Sequence, residues 1–121
     1  MCFCLLLAGC GGVNVDKTVE ILAEEAEYYP IPAQATEQTA KIDVKSTEEQ
    51  VGIYVIKTDD KDKVQGIIST NPHPPEVLGV KVGLQGSLET KLPANTPAMI
   101  VVKNMARRPT NVHIKVNVAS K

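Results

Sequence analysis

All three cysteines of the chain stand within its first ten residues, MCFCLLLAGC, and none follows. A thiol can serve as a nucleophile, a metal ligand or half of a disulfide. Here the surroundings decide. Cys10 follows the small residues Ala8 and Gly9, at the end of an uncharged apolar run that begins at Cys2. That run is far too short to span a bilayer, which takes about 20 apolar residues. A short apolar stretch ending in small residues is the pattern of an export signal.

Leu7-Ala8-Gly9-Cys10 resembles the lipobox of bacterial lipoproteins. The resemblance implies a diacylglycerol on the Cys10 thiol, removal of residues 1–9 as a signal peptide, and an acylated Cys10 as the new N-terminus. It also implies a bacterial cell-envelope location, membrane-anchored by lipid on the periplasmic or outer-membrane face. Where sorting depends on an Asp after the lipidated Cys, Gly11 implies the outer membrane. Such signals begin with Lys or Arg, whereas here only the Met1 amino group is positive and the apolar region is short. Both features are expected if the natural start lies upstream of Met1. The competing reading is a buried strand over residues 3–8 with incidental cysteines. With the signal removed and Cys10 capped, neither a free thiol nor a disulfide remains, so the fold must rest on its own core.

The remaining chemistry-bearing residues form weaker constellations. A nucleophilic triad would have to draw on Ser46, Ser69, Ser87 or Ser120 with His73 or His113, and none sits in a nucleophile-elbow pattern. His113 lies on the polar side of an alternating stretch, as a solvated residue would. His73 and Glu76 supply only two ligands, short of a zinc site. Asp59-Asp60-Lys61-Asp62 resembles a calcium-loop fragment, but Val64 and Asn71 stand where later ligands belong, and a helix cap fits better. The glycines of GLQGS at 83–87 lack the lysine and the strand–loop–helix context of a phosphate cradle. No catalytic residue, metal or cofactor is expected.

One pair of residues exceeds what a turn requires. Arg107 and Arg108 stand in NMARRPTN at 104–111, read here as the tip of a hairpin joining the last two strands. An arginine fork suits carboxylate or phosphate, so these two residues form a candidate binding surface. The partner would be an acidic protein face, a phospholipid headgroup or an anionic wall polymer. The alternative is that they keep a loop soluble. More broadly, Val15 to Tyr29 holds five acids and one Lys, whereas Met99 to Lys121 holds five bases and no acid. These segments either present faces of opposite sign or pair within the molecule.

Composition narrows the function further. The 13 basic and 14 acidic residues give no global attraction to nucleic acid. Beyond the signal the only aromatics are Tyr28, Tyr29 and Tyr54, too few for a base-stacking platform unless Tyr28 and Tyr29 act together. Beside Pro30 they read better as core or rim residues of a strand. A hydrophobic share of 43% in a chain of 121 residues suits one globular domain.

The elements that must position these residues read mainly as strands. Val112 to Val118 and Ala40 to Lys45 alternate apolar and polar residues, the period of half-buried antiparallel strands. Val51–Lys57 and Ala98–Lys103 are apolar on both faces and predict central strands; Val80–Leu84 and Ser87–Leu92 are weaker strand candidates. Thr18–Ala23 alternates like a strand, although Glu24-Glu25-Ala26-Glu27 has helical propensity. We expect a strand there, then an extended edge piece through Tyr28–Pro32. A short helix is expected over 60–69, with Asp59 or Asp60 as cap and Val64, Ile67 and Ile68 on one face. Asn95 in LPANTP suits a positive φ. Residues 10–17 are expected to be the lipidated Cys and a tether, and 18–121 a single antiparallel β-sandwich of about six to eight strands.

The stretch LPANTPAMIVVKN followed by NVHIKVNV resembles the C-terminal half of small bacterial β-sandwiches, the pre-peptidase C-terminal and GOLD-like domains. That resemblance implies a non-catalytic interaction or accessory module. The sequence therefore points to a lipid-anchored, non-enzymatic binding or scaffolding protein of the cell envelope, partnered by the membrane and by an envelope protein or anionic polymer. The alternatives are an accessory or ligand-binding subunit of an envelope enzyme or transporter, and a small hydrolase.

Overall fold

A computed structural model describes residues 13–70 and 73–120. In chain order the elements are β1 (Val13–Ile21), β2 (Ala26–Ile31), β3 (Gln38–Ser46), β4 (Val51–Ile56), α1 (Lys61–Ser69), β5 (Val77–Gly83), β6 (Gln85–Leu92), β7 (Ala98–Asn104) and β8 (Thr110–Ser120). They build two four-stranded antiparallel sheets, ordered β1-β8-β3-β6 and β2-β7-β4-β5. The expected β-sandwich with one short helix is the observed fold.

Alternation decides which sheet face each side chain joins. In β3 and β8 every second residue is buried, so Ala40, Ile42 and Val44 meet Val112, Ile114, Val116 and Val118 in the main core. In β4 every residue is buried, because the strand has cover on both sides. Val51, Ile53 and Val55 face the other sheet, whereas Tyr54 and Ile56 join Met99 and Val101 of β7 in a second cluster under α1. The helix contributes Val64, fully buried, with Ile67 and Ile68 partly buried beside it. Asp60 caps it, accepting from the Asp62 backbone N–H at 2.9 Å, so the acidic run at 59–62 starts a helix.

Two turns use the left-handed region. Asn95 has φ 60° in the β6–β7 connection, as its sequence suggested, and Glu24 has φ 61° after β1. There the backbone turns sharply, with the Glu25 N–H donating to the Leu22 carbonyl at 3.0 Å. This turn outweighs the helical propensity of residues 24–27, and Ala26 already pairs with Lys103 in β2. As expected, β2 with its Pro30 is an edge strand.

Two expectations are corrected. The segment expected as a tether joins the sandwich from Val13 onward, where β1 begins and Val13 pairs with Val118. Asn14, Asp16 and Lys17 made the segment look like a linker, but Val13, Val15 and Val19 share its inner face and pack on the main core. Lys17 lies on that same side, 3.6 Å from the Glu27 carboxylate and 5.4 Å from the Tyr29 ring centroid. A charge so placed between two edge strands discourages pairing with another chain. Residues 105–109 are not a hairpin tip, because β7 and β8 belong to different sheets and the loop crosses between them.

Candidate functional site

Four connections converge at one end of the sandwich: 22–25, 47–50, Leu84 and 105–109. The register requires it, since Ile21 is opposite Thr110, Ser46 opposite Val112, and Val51 opposite both Gly83 and Asn104. Two buried polar residues then lock the loops together. Asn104, wholly buried, donates from Nδ2 to the carbonyls of Ile21 at 3.0 Å, Leu22 at 3.3 Å and Arg108 at 2.7 Å. Its Oδ1 accepts from the Ala106 N–H at 2.9 Å. Thr110 Oγ1 shares a 2.7 Å hydrogen bond with Ser46 Oγ and accepts from the Glu48 and Glu49 N–H groups at 3.3 Å.

Backbone bonds complete the lock. The Glu24 N–H donates to the Ala106 carbonyl at 3.1 Å, and the Met105 N–H to the Gln50 carbonyl at 3.0 Å. An isolated buried polar group is costly, whereas a fully paired one fixes a unique geometry. The loops therefore form a preorganised platform. Its surface exposes Leu22 (48%), Leu84 (49%) and Met105 (42%). Tyr54 supports Met105, its hydroxyl directed at the sulfur at 3.9 Å, and burial raises the phenol pKa above its ordinary value.

Arg107 and Arg108 lie on this platform. Arg107 approaches Glu24 at 3.9 Å and Arg108 meets Glu49 at 3.3 Å, while both guanidinium side chains remain mostly exposed. Part of the charge segregation seen in the sequence is thus resolved by pairing within the molecule. Lys103 adds a third cation beside these arginines, its Nζ donating to the Glu24 carbonyl at 3.2 Å. Glu20, Glu25 and Glu48 are exposed, and none forms an ion pair among the described residues.

The other candidates lie elsewhere, and of these Ser87 and His113 line one open depression on the outer face of the β1-β8-β3-β6 sheet with Asp43, Lys45 and Lys115. Cys10 lies outside the described residues. His113 is half-exposed on the outer face of the β1-β8-β3-β6 sheet, its Nδ1 2.9 Å from Thr18 Oγ1 and its Nε2 2.9 Å from Asp16. This hydroxyl–imidazole–carboxylate row was invisible in sequence because it depends on pairing the two ends of the chain. It is a cross-strand surface contact: Thr18 is directly opposite His113, and Asp16 is two residues along β1. Ser87 donates to Asp43, and β3 separates it from His113, placing the two strands about 10 Å apart. Ser46 is bound to Thr110.

His73 is exposed and meets the Tyr54 ring edge-on, with centroids 6.2 Å apart. No group of three or more metal-ligating side chains forms among the described residues. Tyr28 and Tyr29 are neighbours on a strand and so face opposite sides. Tyr29 joins the main core, where burial raises its pKa, while Tyr28 packs on the helix side, with Lys61 Nζ 5.1 Å from its ring centroid. They cannot act as one stacking surface.

No family model matches the chain, and no curated protein matches it. Among solved structures it is similar to PliG of Aeromonas hydrophila, a periplasmic lysozyme inhibitor of g-type lysozyme. The two share 15% identity over 92% of this chain and 89% of that one, with a TM-score of 0.55. A likeness at this identity shows the fold. A hydroquinone 1,2-dioxygenase from Sphingomonas sp. TTNP3 matches at 11% identity over 82% of this chain and 61% of that one, but its TM-score of 0.29 carries no argument.

Proposed function

We propose that this protein is a non-enzymatic binding module of the bacterial cell envelope, anchored by lipid at Cys10 and working through the loop platform. The observation that carries the reading is the locking of three loops by Asn104 and Thr110, which holds exposed Leu22, Met105, Arg107 and Arg108 in fixed relation. A sandwich that fixes loops at one end is suited to docking a macromolecule, because little ordering entropy remains to be lost on binding. The likeness to a periplasmic inhibitor supports a protein as the partner.

The anchor is the first point to test. Cys10→Ser removes the thiol that would carry the lipid, and each buried CH₂ of an acyl chain contributes about 0.8 kcal/mol to membrane binding. Radiolabelled palmitate should enter the wild-type protein and not the variant. The variant should either stay uncleaved or appear in the soluble fraction. Unlabelled wild-type protein in the cytoplasm would reject the anchor, and with it the envelope location.

A further inference from the structure

We infer that Met105 is a reversible oxidation site whose sulfoxide the fold accepts, with the Tyr54 hydroxyl as its hydrogen-bond donor. The two methionines among the described residues differ sharply in access. Met99 is 3% exposed in the cluster under α1, whereas Met105 is 42% exposed on the loop between β7 and β8. A dissolved oxidant therefore meets the Met105 sulfur first. A methionine sulfoxide ordinarily disrupts its surroundings, because a polar oxygen enters an apolar setting. Here a donor is already aimed at the sulfur. Tyr54 is 4% exposed, and its hydroxyl donates to Met105 Sδ at 3.9 Å. A thioether is a weak acceptor, so this hydroxyl is poorly satisfied.

Gly52 leaves the space in which the two side chains meet. A Cβ there would lie 3.1 Å from the Tyr54 hydroxyl oxygen and 3.2 Å from the Met105 sulfur. The Met105 backbone is held separately, its N–H donating to the Gln50 carbonyl at 3.0 Å. The side chain can thus gain an oxygen while the loop keeps its place. With a peroxide as oxidant, a sulfur lone pair attacks one peroxide oxygen. The S–O bond forms as the O–O bond breaks, and the departing hydroxide takes the proton of the transferred oxygen to leave as water. Sulfur loses two electrons and the peroxide gains them. Tyr54 then donates to a sulfoxide oxygen, a far better acceptor than the thioether, and methionine sulfoxide reductases reverse the step. An exposed apolar side chain at the loop end becomes polar without loss of the fold, whatever that end docks.

The test treats the full-length protein with hydrogen peroxide and follows each methionine by peptide mass mapping. Met105 should gain oxygen at least about tenfold faster than Met99, as their exposures require. Melting temperatures are then compared before and after oxidation in the wild type and in Tyr54→Phe. Met105→Leu, which keeps every other oxidisable residue, supplies the correction for oxidation elsewhere. The wild type should melt within about 1 °C of its reduced form, or higher, because the new hydrogen bond offsets the added polarity. Tyr54→Phe has no hydroxyl to offer, so its sulfoxide should melt about 4 °C below its reduced form. Equal rates of oxidation at Met99 and Met105, or the same change in melting temperature in wild type and Tyr54→Phe, would overturn the inference.

Discussion

Replacing Ile114 with aspartate should leave no folded domain at 25 °C. Ile114 is fully buried in the middle of β8, flanked by β1 and β3 and facing the second sheet. The substitution removes an apolar side chain from the best-packed part of the core and puts a carboxylate there without a partner. An unpaired buried charge costs several kcal/mol, and lost packing adds about 3 more, against a total stability of about 5–15 kcal/mol for a domain. Circular dichroism should lose its β-sheet signal. Lys115→Asp, one residue along, is the control. Lys115 is exposed between Asp16 and Asp43, so the change costs about 1 kcal/mol of local repulsion and the sandwich persists. Similar behaviour of the two variants would mean that β8 does not face the core as described.

The second large effect belongs to Asn104. Asn104→Ala leaves the carbonyls of Ile21, Leu22 and Arg108 and the N–H of Ala106 without their side-chain partner. Orphaning buried polar groups costs about 1–3 kcal/mol each, offset where water enters, so about 3 kcal/mol is expected in total. For a domain of this size the melting temperature should drop on the order of 10 °C. Asn104→Asp should do no better, because a carboxylate has no N–H to donate and would face three carbonyl oxygens. Loss of the loop platform should accompany loss of stability, with faster amide exchange at Glu24, Met105 and Ala106. A melting temperature within a degree of wild type would show that Asn104 does not hold the loops.

Much of the sandwich was legible because burial enforces period. The alternation in β3 and β8 fixed their inner faces, and the unbroken apolar runs of β4 and β7 marked strands covered on both sides. The capping Asp60 and the left-handed Asn95 were local signals that tertiary structure left intact. Alternation does not say which strand lies next door, nor in which sheet. That is why the link after β7 looked like a hairpin, and why β1 was read as starting five residues late, at Thr18. The candidate site was legible only at Arg107 and Arg108. Asn104 looked like an ordinary turn residue, since nothing in its neighbours announces that it is buried. Leu22 and Met105 likewise became surface residues only once the loops were placed.

Amide hydrogen exchange on the intact protein tests most directly whether the loop end is the working surface. Exchange is compared with and without a protein captured from envelope extract by the full-length chain. Added protection should fall on 22–25, 47–50 and 105–109, and the outer face of the β1-β8-β3-β6 sheet should be unchanged. Protection confined to that outer face or to α1, with the loops exchanging as before, would contradict it.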